Sequence, residues 1–204
     1  MKEPRRDAVN ALNEAFQEAA RLFTLAAQEQ RLHADLETVA TQTVHVLKSG
    51  GTLFACGNGG SASQATHVTG ELVGSFFDRT RLPLRAVPLG FDPSSVTAIA
   101  NDFSYQIIFS RQLQALGKPG DILWAFSTSG NSPNVLAAME TAKNIGITTV
   151  LFSNHDGGRA RVMADYFLYT PESSTPRIQE LHLLYSHVLW KSLSCIAPET
   201  RVEL

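Results

Sequence analysis

The sequence predicts an α/β fold, a parallel sheet covered by helices on both faces and preceded by two leading helices. Three observations carry that prediction. Short apolar runs alternate with stretches of helical periodicity along the chain. The runs are bounded by glycines or small polar residues. The first forty-odd of the 204 residues contain no proline after Pro4 and no strand signal.

From residue 7 to about 48, apolar side chains recur at steps of three and four among Ala, Leu, Glu and Gln, giving two helices broken near Gln30. Ser49-Gly50-Gly51 stops the second, and residues 52–56 read as a short buried strand. Ser61 is placed to cap a helix running to about Leu72. Residues 84–89 read as strand, Pro93-Ser94-Ser95 opens a helix reaching Asn101-Asp102, and 104–116 continue as helix. An apolar strand at 122–126 precedes a helix started by Ser132-Pro133, with proline in the first turn where its missing N–H costs nothing. The β-branched run 148–152, a turn and short helix after Asp156-Gly157-Gly158, a strand at 166–169 and a long helix from Pro176 to about Cys195 complete the pattern. The tail after Ala197 is expected to be loose. In such a sheet, ligands bind outside the carboxyl ends of the strands.

Composition narrows the function. A chain of this length fits one domain. The formal net charge of -2 with scattered charges leaves no basic stripe for nucleic acid or an anionic membrane. Two cysteines, Cys56 and Cys195, without a CxxC partner, fit a reducing compartment. No apolar signal region follows the polar start, and no run reaches the roughly 18 apolar residues of a membrane span. A cytoplasmic, soluble protein is expected.

Two loops point to phosphate. Cys56-Gly57-Asn58-Gly59-Gly60-Ser61 lies between a strand and a helix, where backbone N–H groups and a helix N-terminus converge on one point. Lacking the lysine of a Walker loop and the third glycine of GxGxxG, it implies no nucleotide. By itself it also reads as a tight βα turn. The second loop, Ser127-Thr128-Ser129-Gly130-Asn131-Ser132, offers four hydroxyls beside a helix start, more than capping requires.

Four further residues sit at helical spacings, His67 with Glu71 and Gln179 with His187. Each pair faces one side of its helix, so two helices could offer an N, O, O, N set to one metal ion. Taken singly, either pair reads as polar residues on a helix surface. Ile178, Leu181, Leu183, Leu184, Val188 and Leu189 mark their helix as buried, which places His187 in a protected space. His182 competes for the same role, and spacing does not choose between them.

Together, Cys-Gly-Asn-Gly-Gly-Ser at 56–61, His67 with Glu71, Ala100-Asn101-Asp102, Ser-Thr-Ser-Gly-Asn-Ser at 127–132, and Arg177-Ile178-Gln179-Glu180 with His187 resemble the phosphoheptose isomerases of the sugar isomerase (SIS) domain proteins. The resemblance implies a three-layer α/β sandwich around a five-stranded parallel, flavodoxin-like sheet. It implies one SIS domain over 1–204, with helices in 1–48 packing on the core and on partner subunits. It implies a homotetramer with active sites at subunit interfaces. It also implies one zinc per subunit on His67, Glu71, Gln179 and His187, with Glu71 and His187 as acid and base. Substrate would be held by Asn58, Gly59, Gly60, Ser61, Glu71, Asn101, Asp102, Ser127, Thr128, Ser129, Ser132 and Gln179. The implied reaction converts sedoheptulose 7-phosphate to D-glycero-D-manno-heptose 7-phosphate, the first step of heptose nucleotide biosynthesis.

Ser75, where many relatives carry arginine, Pro176 and Thr69-Gly70 depart from the family's usual residues. The rival readings are a non-catalytic SIS protein that binds the replication initiator DnaA, an isomerase of another sugar phosphate such as arabinose 5-phosphate, and a sugar-phosphate-sensing transcription regulator. The first resembles the isomerases but lacks the Glu and the final His, and both are present here. The second usually carries added CBS modules, and the third needs a basic helix-turn-helix beyond Lys2, Arg5 and Arg6.

Overall fold

Side chains along the strands point alternately into two apolar clusters, which is why the sheet must be covered on both faces. Leu53, Ala55, Ile122, Trp124, Phe126, Val150 and Phe152 fall in one cluster, while Phe54, Cys56, Leu123, Ala125 and Leu151 fall in the other. Period-2 geometry with apolar residues at every position leaves neither face for water. The computed structural model describes residues 4–76, 79, 81–172 and 174–196, with the backbone alone for 4–8 and 192–196.

The sheet comprises β1 (Leu53–Gly57), β2 (Ala86–Pro88), β3 (Ile122–Phe126), β4 (Thr148–Asn154) and β5 (Tyr166–Thr170), in the order β2-β1-β3-β4-β5. All pairs are parallel, with Leu53 opposite both Ala86 and Ile122, and Ile122 opposite Thr148. One face carries residues of α1 (Pro4–Gln28), α2 (Gln30–Lys48), α3 (Gly60–Val73) and α7 (Thr175–Ile196). The other carries α4 (Pro93–Asp102), α5 (Ile108–Leu116) and α6 (Pro133–Ile145). The chain crosses from β1 over one face to β2 and returns over the other to β3. The strand order therefore reverses at β1 and β3, and their carboxyl ends open a crevice.

Most elements fall where the sequence places them, and the differences have local causes. α1 and α2 break at Glu29, whose extended backbone and carboxylate cap the Arg31 N–H at 3.2 Å. β2 is shorter than 84–89: Leu84 turns away from the sheet and donates to Leu72 O at 3.0 Å. Residues 104–116 split into a 3-10 turn (Tyr105–Ile107), capped by Ser104 Oγ, and α5. Gly59, not Ser61, is the N-cap of α3. On α7, Val188 is exposed and Leu183 and Leu184 are half-buried, so its buried face is narrower than the sequence implies. The tail after Ala197 lies outside the described residues. No helix among the described residues is long and apolar enough to cross a membrane.

At the amino edge of the sheet, buried Asp121 ties three elements together. Its carboxylate accepts from Thr52 N, Lys118 N and Lys118 Nζ, each at 2.8 Å. Removing it strands the buried Thr52 N–H without an acceptor. Asp121→Ala should lower stability by about 3 kcal/mol in urea unfolding, with an unchanged m-value.

Candidate active site

Both small-residue loops open into the crevice at the reversal of strand order, and each leads into a helix. At this edge α6 leaves first-turn N–H groups without intrahelical partners, whereas α3 gives those of Ser61 and Ala62 to Asn58 O and Gly59 O, each at 3.0 Å. Gly59 takes φ +57, a conformation that favours glycine, and is exposed with Gly60. In the second loop Gly130, at φ +63, lies so close to the next turn that an added Cβ would stand 1.9 Å from Gly157 O. Asn131 braces this contact: its Nδ2 donates to Ser129 O at 2.8 Å and its Oδ1 accepts from Arg159 N at 3.0 Å.

The hydroxyls differ in their surroundings. Ser127 is buried and its Oγ bonds Ser132 Oγ at 3.3 Å, while Ser132, the N-cap of α6, makes no side-chain cap. Thr128 is half-buried and Ser129 exposed, its Oγ accepting from Asn131 N at 3.2 Å. Asn101 and Asp102 end α4 at the surface, joined by a 2.8 Å amide to carboxylate bond. Asn58 is more engaged than the sequence suggests. It exchanges two 2.8 Å hydrogen bonds with the buried Asn134, and Tyr105 OH donates to the same Asn58 Oδ1 at 3.1 Å. This clasp joins the loop after β1 to the start of α6. Asn134 and Tyr105 escape sequence reading because each looks like an ordinary helical residue; the one signal is an asparagine in a first turn whose cap is already Ser132.

α3 and α7 pack side by side and run in the same direction, Ser61 near Gln179 and His67 near His187. Gln64 reinforces the pairing by donating to Gln179 O. Two turns further on, His67 Nε2 and His187 Nε2 meet at 2.9 Å, with the rings edge to face. Glu71 Oε1 lies 3.9 Å from the same His67 nitrogen. A contact of 2.9 Å between ring nitrogens requires one to donate and the other to accept, so the pair does not carry two charges. Burial, and after it the neighbouring His67, hold His187 below the ordinary histidine range, against the opposing pull of Glu71. The lowered pKa favours the neutral imidazole of His187, the form able to accept a proton.

The donors suit zinc, which takes imidazole nitrogen and carboxylate oxygen; at about 2.0–2.1 Å from each, tetrahedral zinc would space the two nitrogens by about 3.3 Å. Among the described residues no group of three or more His, Cys, Asp or Glu encloses a metal-sized point. Gln179 stands apart from the other three. Its amide lies against Gly60 and donates to Ser61 Oγ at 3.4 Å, and no hydrogen bond joins it to His67, Glu71 or His187.

The structure also separates the two competing histidines. His182 is fully buried between α7 and the sheet, packed on Phe126 and Phe152, with Nε2 3.3 Å from Ser153 O. It faces the core, away from the crevice.

The SIS domain family matches residues 14–154. A phosphoheptose isomerase of Burkholderia pseudomallei (strain 1710b) is 44% identical over 179 residues, covering 87% of this chain and 90% of that protein. The chain belongs to the phosphoheptose isomerase family. Solved phosphoheptose isomerases agree with its architecture. That of Neisseria gonorrhoeae is 34% identical, with a TM-score of 0.85 over 92% of this chain and 99% of that one. That of Francisella tularensis is 31% identical, with a TM-score of 0.87 over 91% and 97%. The parallel five-stranded sheet with helices on both faces is the flavodoxin-like SIS fold.

Burial of His182 has a measurable consequence. Desolvation pushes its pKa down to about 4, whereas an unfolded chain's histidine titrates near 6.5. On acidification the unfolded state binds the proton first. Stability should therefore hold above about pH 7, fall between about 6.5 and 4, and level off below with respect to this group. Urea midpoints measured across this range should show a steeper loss in the wild type than in His182→Leu.

Proposed function

We propose that this family member is an aldose-ketose isomerase that converts sedoheptulose 7-phosphate to D-glycero-D-manno-heptose 7-phosphate, the first step of heptose nucleotide biosynthesis. The observation that carries the reading is the placement of a carboxylate and two imidazoles together, on α3 and α7, with the glycine-rich loop at the start of α3. The N-terminus of α6 and the hydroxyls of Ser127, Thr128, Ser129 and Ser132 hold the phosphate. Asn58, Gly59, Gly60, Ser61, Asn101, Asp102 and Gln179 surround the sugar.

The reaction moves hydrogen from C1 to C2 through a cis-enediol. One group takes a proton from C1 and returns it to C2, while another carries a proton between O1 and O2. Glu71 suits the transfer at carbon. His187 can take the proton from O1, becoming imidazolium, and give it to O2. His67, in contact with His187 Nε2 at 2.9 Å, restrains the aim of that ring.

His67, Glu71, Gln179 and His187 are the proposed zinc residues, and zinc would act as a Lewis acid on the sugar's oxygens. The donor types, two imidazoles and a carboxylate, support this assignment, although as they stand these side chains do not form a metal cage and Gln179 lies apart. Ligation and proton transfer then draw on the same Glu71 carboxylate. A homotetramer is supported by the apolar stripe that α1 leaves uncovered, with Val9, Leu12 and Phe16 at 51%, 61% and 75% exposure. A buried free Cys56 accords with a reducing cytoplasm.

Incubation with sedoheptulose 7-phosphate in heavy water, followed by NMR, should yield aldose carrying deuterium at C2; no turnover by soundly folded, zinc-supplied protein would sink the isomerase assignment. Glu71→Gln and His187→Ala should each lower kcat by at least about a hundredfold with the melting temperature nearly unchanged. Elemental analysis should find less zinc in His67→Ala and His187→Ala than in the wild type. Equal zinc in all three would remove the metal assignment and leave the proton-transfer roles standing.

A further inference from the structure

The chain after α3 folds back over the end of that helix, and two side chains hold it there. Arg81 Nη1 donates to Leu72 O at 2.9 Å and Leu82 O at 2.8 Å, and its Nη2 to Glu71 O at 2.9 Å and Gly74 O at 3.0 Å. The last carbonyls of a helix have no intrahelical partners, and a planar guanidinium can satisfy several at once while placing a cation at the negative end of the helix. Arg81 therefore ties the return segment to the turn that carries Glu71.

Between these anchors stands Phe76, the one non-glycine residue at positive φ among the described residues, at +45. A bulky side chain keeps such a conformation only when its surroundings impose it. The ring is partly buried against the core cluster of α2, α3 and α7, and it stacks on the His187 imidazole with centroids 5.9 Å apart and planes 29° apart. His67 meets the same imidazole edge to face at 5.2 Å. The second side-chain torsion of histidine is soft, so the Nε2 direction depends on what the ring rests against.

We infer that Phe76 is a positioning residue for His187, its stacking fixing the plane of the imidazole so that Nε2 points at His67 Nε2, with Arg81 holding the backbone in the conformation this requires. The inference rests on the proposed role of His187 in isomerisation. It extends the site to a segment that touches neither the phosphate loops nor the reacting carbons.

The test compares wild type, Phe76→Leu, Phe76→Tyr and Arg81→Met. Carbon-proton correlation spectra of the histidine rings, with the His187 signal assigned by its loss in His187→Gln, report stacking directly through the ring-current shift. In Phe76→Leu that signal should move toward the position of an unstacked histidine. Its kcat should fall about tenfold with KM within about twofold, the loss expected from a misaimed proton-transfer group. Phe76→Tyr, which keeps the ring, should restore both, and Arg81→Met should shift the His187 signal in the same direction as Phe76→Leu. An unmoved His187 signal in Phe76→Leu overturns the inference, as does an unchanged kcat despite a moved signal. Should the wild type itself turn over no heptose phosphate, the isomerase reading fails, while the ring-shift comparison still decides whether Phe76 sets the imidazole.

Discussion

Everything at this site depends on a sheet that has no wet face. Because β1, β3 and β4 are apolar at successive positions, every connection must cross one face or the other carrying a helix with an apolar stripe. Helices on both sides force the strand order to reverse, and at the reversal the chains leaving β1 and β3 diverge. Loops that would otherwise be packed over become the walls of a crevice. The glycine-rich turn and the hydroxyl-rich turn occupy those two positions, so a rule about burial places the edge proposed to hold the anion.

The second requirement is that α7, the last helix described, returns to lie beside α3. Its buried side is anchored by Leu181, Tyr185, Leu189 and Trp190, with Trp190 stacked on Trp124 of the central strand at 5.0 Å and 13°. Tyr185 OH donates to Tyr169 O at 3.2 Å, tying the helix to the edge strand. Once these contacts set the rotation of α7, Gln179 and His187 have no choice but to face α3. Aromatic packing on the far side of the helix thereby aligns a histidine pair contributed by residues 120 positions apart.

The crevice also shows a division of labour among its amides. Asn131 and Asn134 are spent on holding backbone segments together, and Asn134 does so by pairing both of its amide atoms with Asn58. Hydroxyls and backbone N–H groups remain for an anion. The proposed phosphate site, built on neutral donors and a helix end, accords with a chain whose overall charge is close to balance.

Local pattern was enough to place the strands, the helices and the two loops, because burial on one face leaves a period in the sequence that the chain carries wherever it goes. It also marked His67, Glu71, Gln179 and His187 as worth explaining. What periodicity does not encode is which distant residues share a space. His182 and His187 lie on the same helix, yet one is sealed against Phe126 and Phe152 while the other meets His67, and only the rotation of α7 on the sheet separates them. Asn58 reads as a ligand-facing amide, and only the fold brings Asn134 and Tyr105 to it from other segments. Phe76 and Arg81 gave no signal, since a positive φ and a bond to a helix end come into being only when the chain has turned back on itself. The sequence by itself determined the fold and the chemical kinds of group at the crevice; the tertiary structure alone decided which of them touch, because contact between remote residues is a property of packing and has no local period.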